Sequence, residues 1–383
     1  MDYLLNDQQI MIRDLCRQIT DEKIRPAAAE YDKNEKFPWD IVKVIAQADL
    51  FGVYIEEKYG GMGGGVFELC LATEEFSKGC AGIALCYSAT ALGAYPLILY
   101  GSDEQKQKYL PAIARGERLA AFGLTEPAAG SDASALQTTA EKQGDHYILN
   151  GVKHFITNGG DAEIYTIIAM TDKEKGARGA SLFLVEKGTP GFSFGKKEEK
   201  MGIRASSTRE LIFNDCKIPK ENLLGREGMG FIAAMKTFDK SRPGIGAQAL
   251  GIAQGALDEA LKYAKQRKQF EKSITSFQGI QWMLADMATE VEAARALVYA
   301  SAREVDAGKK DIGSHSAMAK MYASDVAMKV AVDAVQIFGG YGYMREYPAE
   351  KYMRDAKITQ IYEGTNQIQR NIIAAGLIRD SVR

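Results

Sequence analysis

Histidine is scarce in this chain of 383 residues: only His146, His154 and His315 occur. None lies three residues after a glutamate, and no HExxH is present. The five cysteines, Cys16, Cys70, Cys80, Cys86 and Cys216, form no CxxC pair. Zinc sites and the bundle di-iron motif therefore lack their ligand sets, and no metal site is expected. An odd number of scattered cysteines reads as reduced thiols in a cytoplasmic protein. There is no GxSxG nucleophile elbow. Glycine is plentiful but wrongly placed for nucleotide phosphates. Gly60–Gly65 lacks the Lys-Ser/Thr of a P-loop, and Gly339-Gly340-Tyr341-Gly342 follows a helical segment where the dinucleotide fingerprint would follow a strand.

Other absences narrow the field further. The formal net charge is only −2, with both signs interspersed, so the basic stripe of a nucleic-acid binder is missing. No apolar run reads as long and uninterrupted enough to span a bilayer. The start, Met1 to Asp7, has neither the basic opening nor the apolar run of a signal peptide. A cytoplasmic protein is expected, with an organelle form that has lost a transit peptide as the alternative. With most hydrolase and metal routes closed, a bound organic cofactor gains weight.

What is there has a helix, sheet, helix texture, hence an α+β class. Asn6 or Asp7 can cap a helix carrying Ile10, Ile12, Leu15 and Ile19. Further helices are expected after Pro38, over Phe67–Phe76, over Ile83–Leu99, and from a cap at Asp103 to Ile113. From about Leu119 to Cys216 short strands follow, such as His146–Leu149, Ile164–Ile168 and Leu182–Val185, bounded by turn residues. Their even spacing suggests a small barrel or sandwich. After Gly228 long helices return, with apolar stripes at Leu250, Ala253, Leu257, Leu261 and Ala264, at Leu284, Met287, Val291, Ala294 and Val298, and at Met321, Met328, Ala331 and Val335. Pro243 is read as the start of the first of these. The expected domains are 1–117 (helical), 118–226 (β) and 227–383 (helical bundle).

Two runs stand out: Leu124-Thr125-Glu126-Pro127-Ala128-Ala129-Gly130-Ser131-Asp132, and Tyr362-Glu363-Gly364-Thr365. The second follows Phe338–Tyr343 and the charged segment Arg354-Asp355-Ala356-Lys357. Taken alone, the first is a proline loop with a turn cap and Glu363 a helix-terminal acid before a glycine. Together, and in this order along essentially the whole chain, they resemble the acyl-CoA dehydrogenase family. The resemblance implies a C-terminal four-helix bundle and an FAD cofactor. It implies that Glu363 is the base that removes an α-proton while a β-hydride passes to flavin N5, giving a trans-2-enoyl-CoA. Some branches place the base on the segment of Ser241, which here offers no glutamate.

The same resemblance assigns flavin contacts to Phe122, Leu124, Thr125, Phe155 (where relatives often have Trp) and Thr157. It assigns the FAD of a neighbouring subunit to Arg267, Phe270, Gln278, Gln336, Gly339 and Gly340, and the FAD of the same subunit to Thr365 and Gln367. Ser131, Asp239, Ser241, Arg242, Tyr362 and Gly364 would meet the acyl-CoA. Arg242 and Arg267 are apt for phosphate and carbonyl oxygens. Glu271 departs from the glycine usual there and is expected to point to solvent. A homotetramer, arranged as a dimer of dimers, and electron transfer flavoprotein as acceptor are implied. The helix from Cys86 to Gly93 is read as the far wall of the acyl pocket, with Tyr87 and Tyr95 able to fill it. A short- to medium-length straight chain is favoured. A cyclic or branched acyl group, such as cyclohexanecarboxyl-CoA, is the alternative, since one methylene gives only about 1–3 kcal/mol of discrimination. An acyl-CoA oxidase and a non-catalytic acyl-CoA or flavin binder are the rival functions.

Overall fold

A computed structural model describes residues 3–381. The N-terminal third is helical: α1 (Asp7–Ile19), α2 (Arg25–Asn34), α3 (Trp39–Gln47), α4 (Val66–Gly79), α5 (Ala81–Tyr100) and α6 (Asp103–Ala114). Asn6 caps α1 through a reciprocal box with Gln9. Ser102, one residue before the Asp103 expected from sequence, caps α6 in the same way with Gln105. A short π-helical turn, Thr20–Ile24, joins α1 to α2, and this second helix was not legible in the sequence.

The strands are β1 (Ala120–Gly123), β2 (Thr139–Gln143), β3 (His146–Thr157), β4 (Ile164–Met170), β5 (Ala180–Glu186), β6 (Phe192–Lys197), β7 (Thr208–Pro219) and β8 (Leu223–Leu224). They form one sheet in the order β6-β7-β3-β2-β4-β5-β8, with β1 added in parallel to β4. The remaining neighbours are antiparallel apart from a short β2–β4 contact. β4 and β5 are buried almost throughout, which is why they read as continuous apolar runs.

Three long helices follow, α7 (Gly230–Gln266), α8 (Gln278–Asp306) and α9 (Gly313–Phe338), then α10 (Ala349–Thr359) and α11 (Asn366–Asp380). α7 packs on α9, α8 and also on α4, so the two helical regions share a core. Buried Glu74 on α4 ties them with Arg295 (3.2 Å) and Tyr299 (2.7 Å) on α8. The expected stripes are largely buried, but Leu261 is exposed, and the buried face of α9 is set by Ala323, Ala327, Ala331 and Ala334 while Met321, Met328 and Val335 lie at its edge.

Two expectations are corrected. Pro243 does not open a helix; it lies inside α7. A proline there has no N–H for the carbonyl four residues back. That carbonyl, on Asp239, instead accepts the Ser316 hydroxyl of α9 at 2.7 Å. The second concerns apolar runs. α5 is 20 residues long with a mean hydropathy of 1.5, enough by length and composition to cross a membrane. In the fold 83% of that stretch is buried, as befits a central core helix.

α5 reaches the sheet through Gly93. A Cβ there would lie 2.5 Å from the Ala121 backbone nitrogen, so helix and β1 approach as only glycine allows. Beyond β1, the chain at Leu124–Glu126 is fastened by an ion pair inside the protein. Lys153, fully buried on β3, donates to Glu126 Oε1 at 2.6 Å and to the Leu124 carbonyl at 3.1 Å. The Glu126 carboxylate also accepts the amides of Gln137 (2.5 Å) and Thr138 (3.0 Å). Burial opposes both charges. It pushes Lys153 down to about 8, whereas Lys153 and the amide donors outweigh burial at Glu126 and hold it below the usual carboxylate range. Both groups are thus charged at neutral pH.

Removing one partner of such a pair leaves an uncompensated buried charge. Lys153→Met should lower unfolding stability by about 3–5 kcal/mol, and Lys153→Met with Glu126→Gln should recover part of the loss, read from urea denaturation midpoints. Equal stability of the single and double variants would show that the charge of Glu126 is not what Lys153 balances. Gly93→Ala should cost about 1–3 kcal/mol by overpacking against β1, read as a lower Tm.

Candidate active site

The turn that carries Glu363 sits between α10 and α11. Its residues are held in left-handed conformations, Glu363 at φ 51° and Gly364 at φ 91°. Thr365 caps α11, accepting the Ile368 amide at 3.2 Å. The side chain of Glu363 enters a cavity of about 390 Å³. The walls are Leu85, Ser88, Ala89 and Leu92 from α5, Phe122 from β1, Leu124 and Thr125 just beyond it, Gly130–Ser134, Phe155–Thr157 from β3, Phe231, Met235, Phe238 and Arg242 from α7, Tyr362–Gly364, and Ile368 and Ile372 from α11.

Burial raises the Glu363 carboxyl above the usual range, and three neighbours pull it partly back: a hydrogen bond from Ser241, then the charges of Arg242 and Lys320. Ser241 Oγ donates to Glu363 Oε2 at 2.5 Å. Arg242 is 4% exposed, bonds Asp239 Oδ1 at 3.3 Å, and leaves its Nε without a partner. Because α7 is continuous, Phe238 and Arg242 are one turn apart, and the guanidinium lies 5.7 Å from the Phe238 ring. Phe238 in turn meets Phe122 edge-on. The Tyr362 hydroxyl donates to Gln248.

Phe155 and Thr157 owe their placement to an irregularity in β3. Its register against β7 shifts between Lys153 and Ile156, and Phe155 has φ 57°. Such a bulge turns a side chain out of the pleat. Phe155 is 60% exposed rather than packed in the core. His154 stays at the boundary, its amide on the Thr125 carbonyl at 2.8 Å and its ring on Glu210 at 3.0 Å. In the 124–132 run, Asp132 closes a turn by accepting the Ser134 hydroxyl at 2.6 Å.

The cavity therefore gathers Phe122, Leu124, Thr125, Ser131, Phe155, Thr157, Arg242, Tyr362, Glu363 and Gly364. Ser241 touches it through Glu363, and Asp239 through Arg242. Arg267, Gly339 and Gly340 line a different cavity of about 540 Å³ with Tyr263, Phe338 and Tyr341. Thr365 and Gln367 line a third with Asp325, Lys357 and Arg370. Phe270, Gln278 and Gln336 line none of these three. Phe270 is 86% exposed at the tip of a hairpin, β9 (Lys268–Gln269) and β10 (Lys272–Ser273), and Glu271 beside it is also exposed. Both residues of this two-residue turn have positive φ, 52° and 67°, a geometry that favours glycine at the second position.

Tyr87 and Tyr95 do not fill the cavity. Tyr87 turns into the core beside Phe51 and Phe76 and donates to the Leu50 carbonyl at 3.0 Å. Tyr95 packs on Tyr54. The α5 wall is instead Leu85, Ser88, Ala89 and Leu92, the last three of them within the Cys86–Gly93 segment expected from the sequence. The sequence reading passed over Phe231, Met235, Ile368 and Ile372, which carry no signal beyond ordinary apolar residues. Lys153 and Lys320 had one: each is a lone lysine within an otherwise buried pattern. Among the described residues no cluster of three or more His, Cys, Asp or Glu is placed to hold a metal ion.

Comparison with known proteins finds matches along nearly the whole chain. Three family models match in chain order: the acyl-CoA dehydrogenase N-terminal domain over residues 6–117, the middle domain over 121–216 and the C-terminal domain over 228–378. The short-chain-specific acyl-CoA dehydrogenase of Clostridium acetobutylicum is 50% identical over 380 residues, covering 99% of this chain and 100% of the relative. The structure of butyryl-CoA dehydrogenase from Megasphaera elsdenii superposes with a TM-score of 0.96 at 50% identity, over 99% of this chain and 100% of that one. A chain from a structure of the electron transferring flavoprotein of Acidaminococcus fermentans, described in connection with flavin-based electron bifurcation, gives 0.97 at 54% identity over 99% and 100%. On this evidence the chain belongs to the acyl-CoA dehydrogenase family of oxidoreductases.

Proposed function

We propose that this protein catalyses FAD-dependent α,β-dehydrogenation of a short- to medium-chain acyl-CoA, with Glu363 as the base. The observation that carries the reading is the Glu363 carboxyl itself: it lines an apolar cavity, burial raises its pKa, and Ser241 and Arg242 flank it. An aqueous carboxylate is too weak a base for a thioester α-hydrogen. Burial strengthens it, and a ligand that excludes water strengthens it further. The cavity wall fits a flavin ring: Phe155 turned outward by a strand bulge, the hydroxyls of Thr125 and Thr157, and the apolar Phe122 and Leu124. Bound there, FAD would supply the two-electron acceptor for the β-hydride.

The protein's own part is position and proton transfer. Glu363 takes the α-proton onto its carboxylate, and its backbone N–H would donate to the thioester oxygen, where charge develops. A donor so placed contributes roughly 3–4 kcal/mol. Arg242 has an unpartnered Nε within the wall, which suits an oxygen of the CoA thioester arm together with Ser131. The product is the trans-2-enoyl-CoA. Withdrawal of Tyr87 and Tyr95 leaves the far wall to Leu85, Ser88, Ala89 and Leu92, and the similarity to a short-chain-specific acyl-CoA dehydrogenase and to butyryl-CoA dehydrogenase favours a short straight chain over a cyclic one.

Arg267, Phe270, Gln278, Gln336, Gly339 and Gly340 would face the FAD of a second subunit. Their separation from the Glu363 cavity and the exposure of Phe270 support that reading, and with it a dimer as the least unit of a tetramer. Thr365 and Gln367 would hold the FAD of their own subunit. Electron transfer flavoprotein is the proposed acceptor.

Anaerobic titration of the FAD-loaded protein with butyryl-, hexanoyl-, octanoyl-, isobutyryl- and cyclohexanecarboxyl-CoA should bleach the flavin band most completely with the short straight chains. Glu363→Gln should keep FAD and acyl-CoA binding while flavin reduction slows by about 10²–10⁴-fold or more. Near-normal reduction in this variant would move the base elsewhere.

A further inference from the structure

α9 buries a polar stripe at four-residue spacing, Ser316, Lys320 and Ser324, within an otherwise apolar buried face. Each member is spent on the region around Glu363. Ser316 takes the Asp239 carbonyl that Pro243 leaves free. Ser324 and Asn366 are joined through Asn366 Nδ2 at 2.9 Å. Lys320, with no exposed surface, donates to the Gly364 carbonyl at 2.8 Å and to Asn366 Oδ1 at 2.9 Å. Gln369 completes the hold from α11, donating to the carbonyls of Glu363 (3.1 Å) and Gly364 (2.9 Å).

The left-handed pair at 363 and 364 is unfavourable for a non-glycine residue and persists only where surrounding bonds over-determine it. A neutral donor would satisfy the Gly364 carbonyl at less desolvation cost than a buried ammonium. A lysine there does something a glutamine would not: it brings a positive charge to the base. We propose that Lys320 is the positioning residue of the Glu363 turn, bonding its carbonyl from behind while its charge favours the ionised, proton-accepting form of the carboxylate.

The charged groups facing Lys320 are Glu363 from the turn, Arg242 from α7 and Asp325 from α9 itself. Glu363 and Asp325 favour the ammonium and Arg242 opposes it. Burial dominates and pushes Lys320 down to about 7, while burial holds Glu363 above the usual carboxylate range, and each charge offsets part of the other's desolvation. The cation lowers the pKa of Glu363, so its removal must raise it.

The inference builds on the reading of Glu363 as the base, and the test keeps the two apart. The FAD-loaded protein without substrate is titrated by infrared spectroscopy, and the Glu363 carboxyl band is assigned by difference against Glu363→Gln. Lys320→Met should move that carboxyl upward by about one pH unit. Lys320→Gln, which keeps a donor for the Gly364 carbonyl and is the milder replacement for folding, should move it equally. Gln369→Leu, which removes a neutral donor from the same turn, should leave it in place. With acyl-CoA, the rising limb of flavin reduction against pH should shift to higher pH in both Lys320 variants, and the rate at pH 7 should fall roughly tenfold in Lys320→Gln and further in Lys320→Met, which also loses the donor to the Gly364 carbonyl. An unmoved carboxyl band in Lys320→Met and Lys320→Gln would overturn the proposal. Normal flavin reduction by Glu363→Gln would instead overturn the choice of base, leaving the infrared result to decide on Lys320 alone.

Discussion

Glu363 sits in a backbone conformation that costs a residue with a Cβ roughly 1–2 kcal/mol. The following glycine continues it, and its own freedom is limited, because a Cβ at 364 would meet Gln369 Nε2 at 2.6 Å. The turn is therefore fitted to its surroundings from both sides. Its carbonyls face donors from α9 and α11, its carboxylate accepts a hydroxyl from α7 and lies within the field of the Arg242 charge, and the next residue caps α11. Three helices converge on one strained dipeptide. Local strain of this kind is expected where the side chain must be aimed rather than packed.

The opposite wall is built by a different physics. β1 lies against α5 at Gly93, and the chain leaving β1 is held by a lysine and a glutamate that water does not reach. Neither device is a cheap source of stability: close backbone contact gives up side-chain packing, and a buried ion pair loses hydration on both partners. What they give in return is register. Leu124 and Thr125 cannot slide along the cavity without breaking the bond from Lys153 or the one from the His154 amide. The two walls thus share a logic, in which buried polar groups specify position at the expense of stability.

Much of this was legible in the sequence, for identifiable reasons. Helix and strand texture, the caps and the order of segments follow from periodicity and turn residues. The cavity's polar members were legible because the two runs around Thr125 and Glu363 are distinctive together. The fold also joins the charged segment Arg354–Lys357 to a distant stretch: Asp355 accepts the Ile203 amide at 2.6 Å and Arg354 donates to the Met201 carbonyl at 3.0 Å. What was illegible depends on partners far apart in the chain. No local rule says that Tyr87 will turn to Leu50, that β3 will bulge at Phe155, or that Lys320 will meet a carbonyl 44 residues on.

Pro243 shows why local rules mislead at this site in particular. A proline after Arg242 is good evidence for a helix start when only neighbours are considered. Here the helix continues because α9 offers Ser316 to the carbonyl that the proline cannot serve. The outcome matters chemically. Were α7 to begin at Pro243, Phe238, Asp239, Ser241 and Arg242 would lie on a loop, free to move relative to one another. On a continuous helix their spacing is set by the helix itself. Arg242 then stacks over Phe238 and bonds Asp239 one turn back, while Ser241 points to Glu363. A tertiary hydrogen bond thus converts a run that reads as a loop into a rigid edge of the Glu363 cavity.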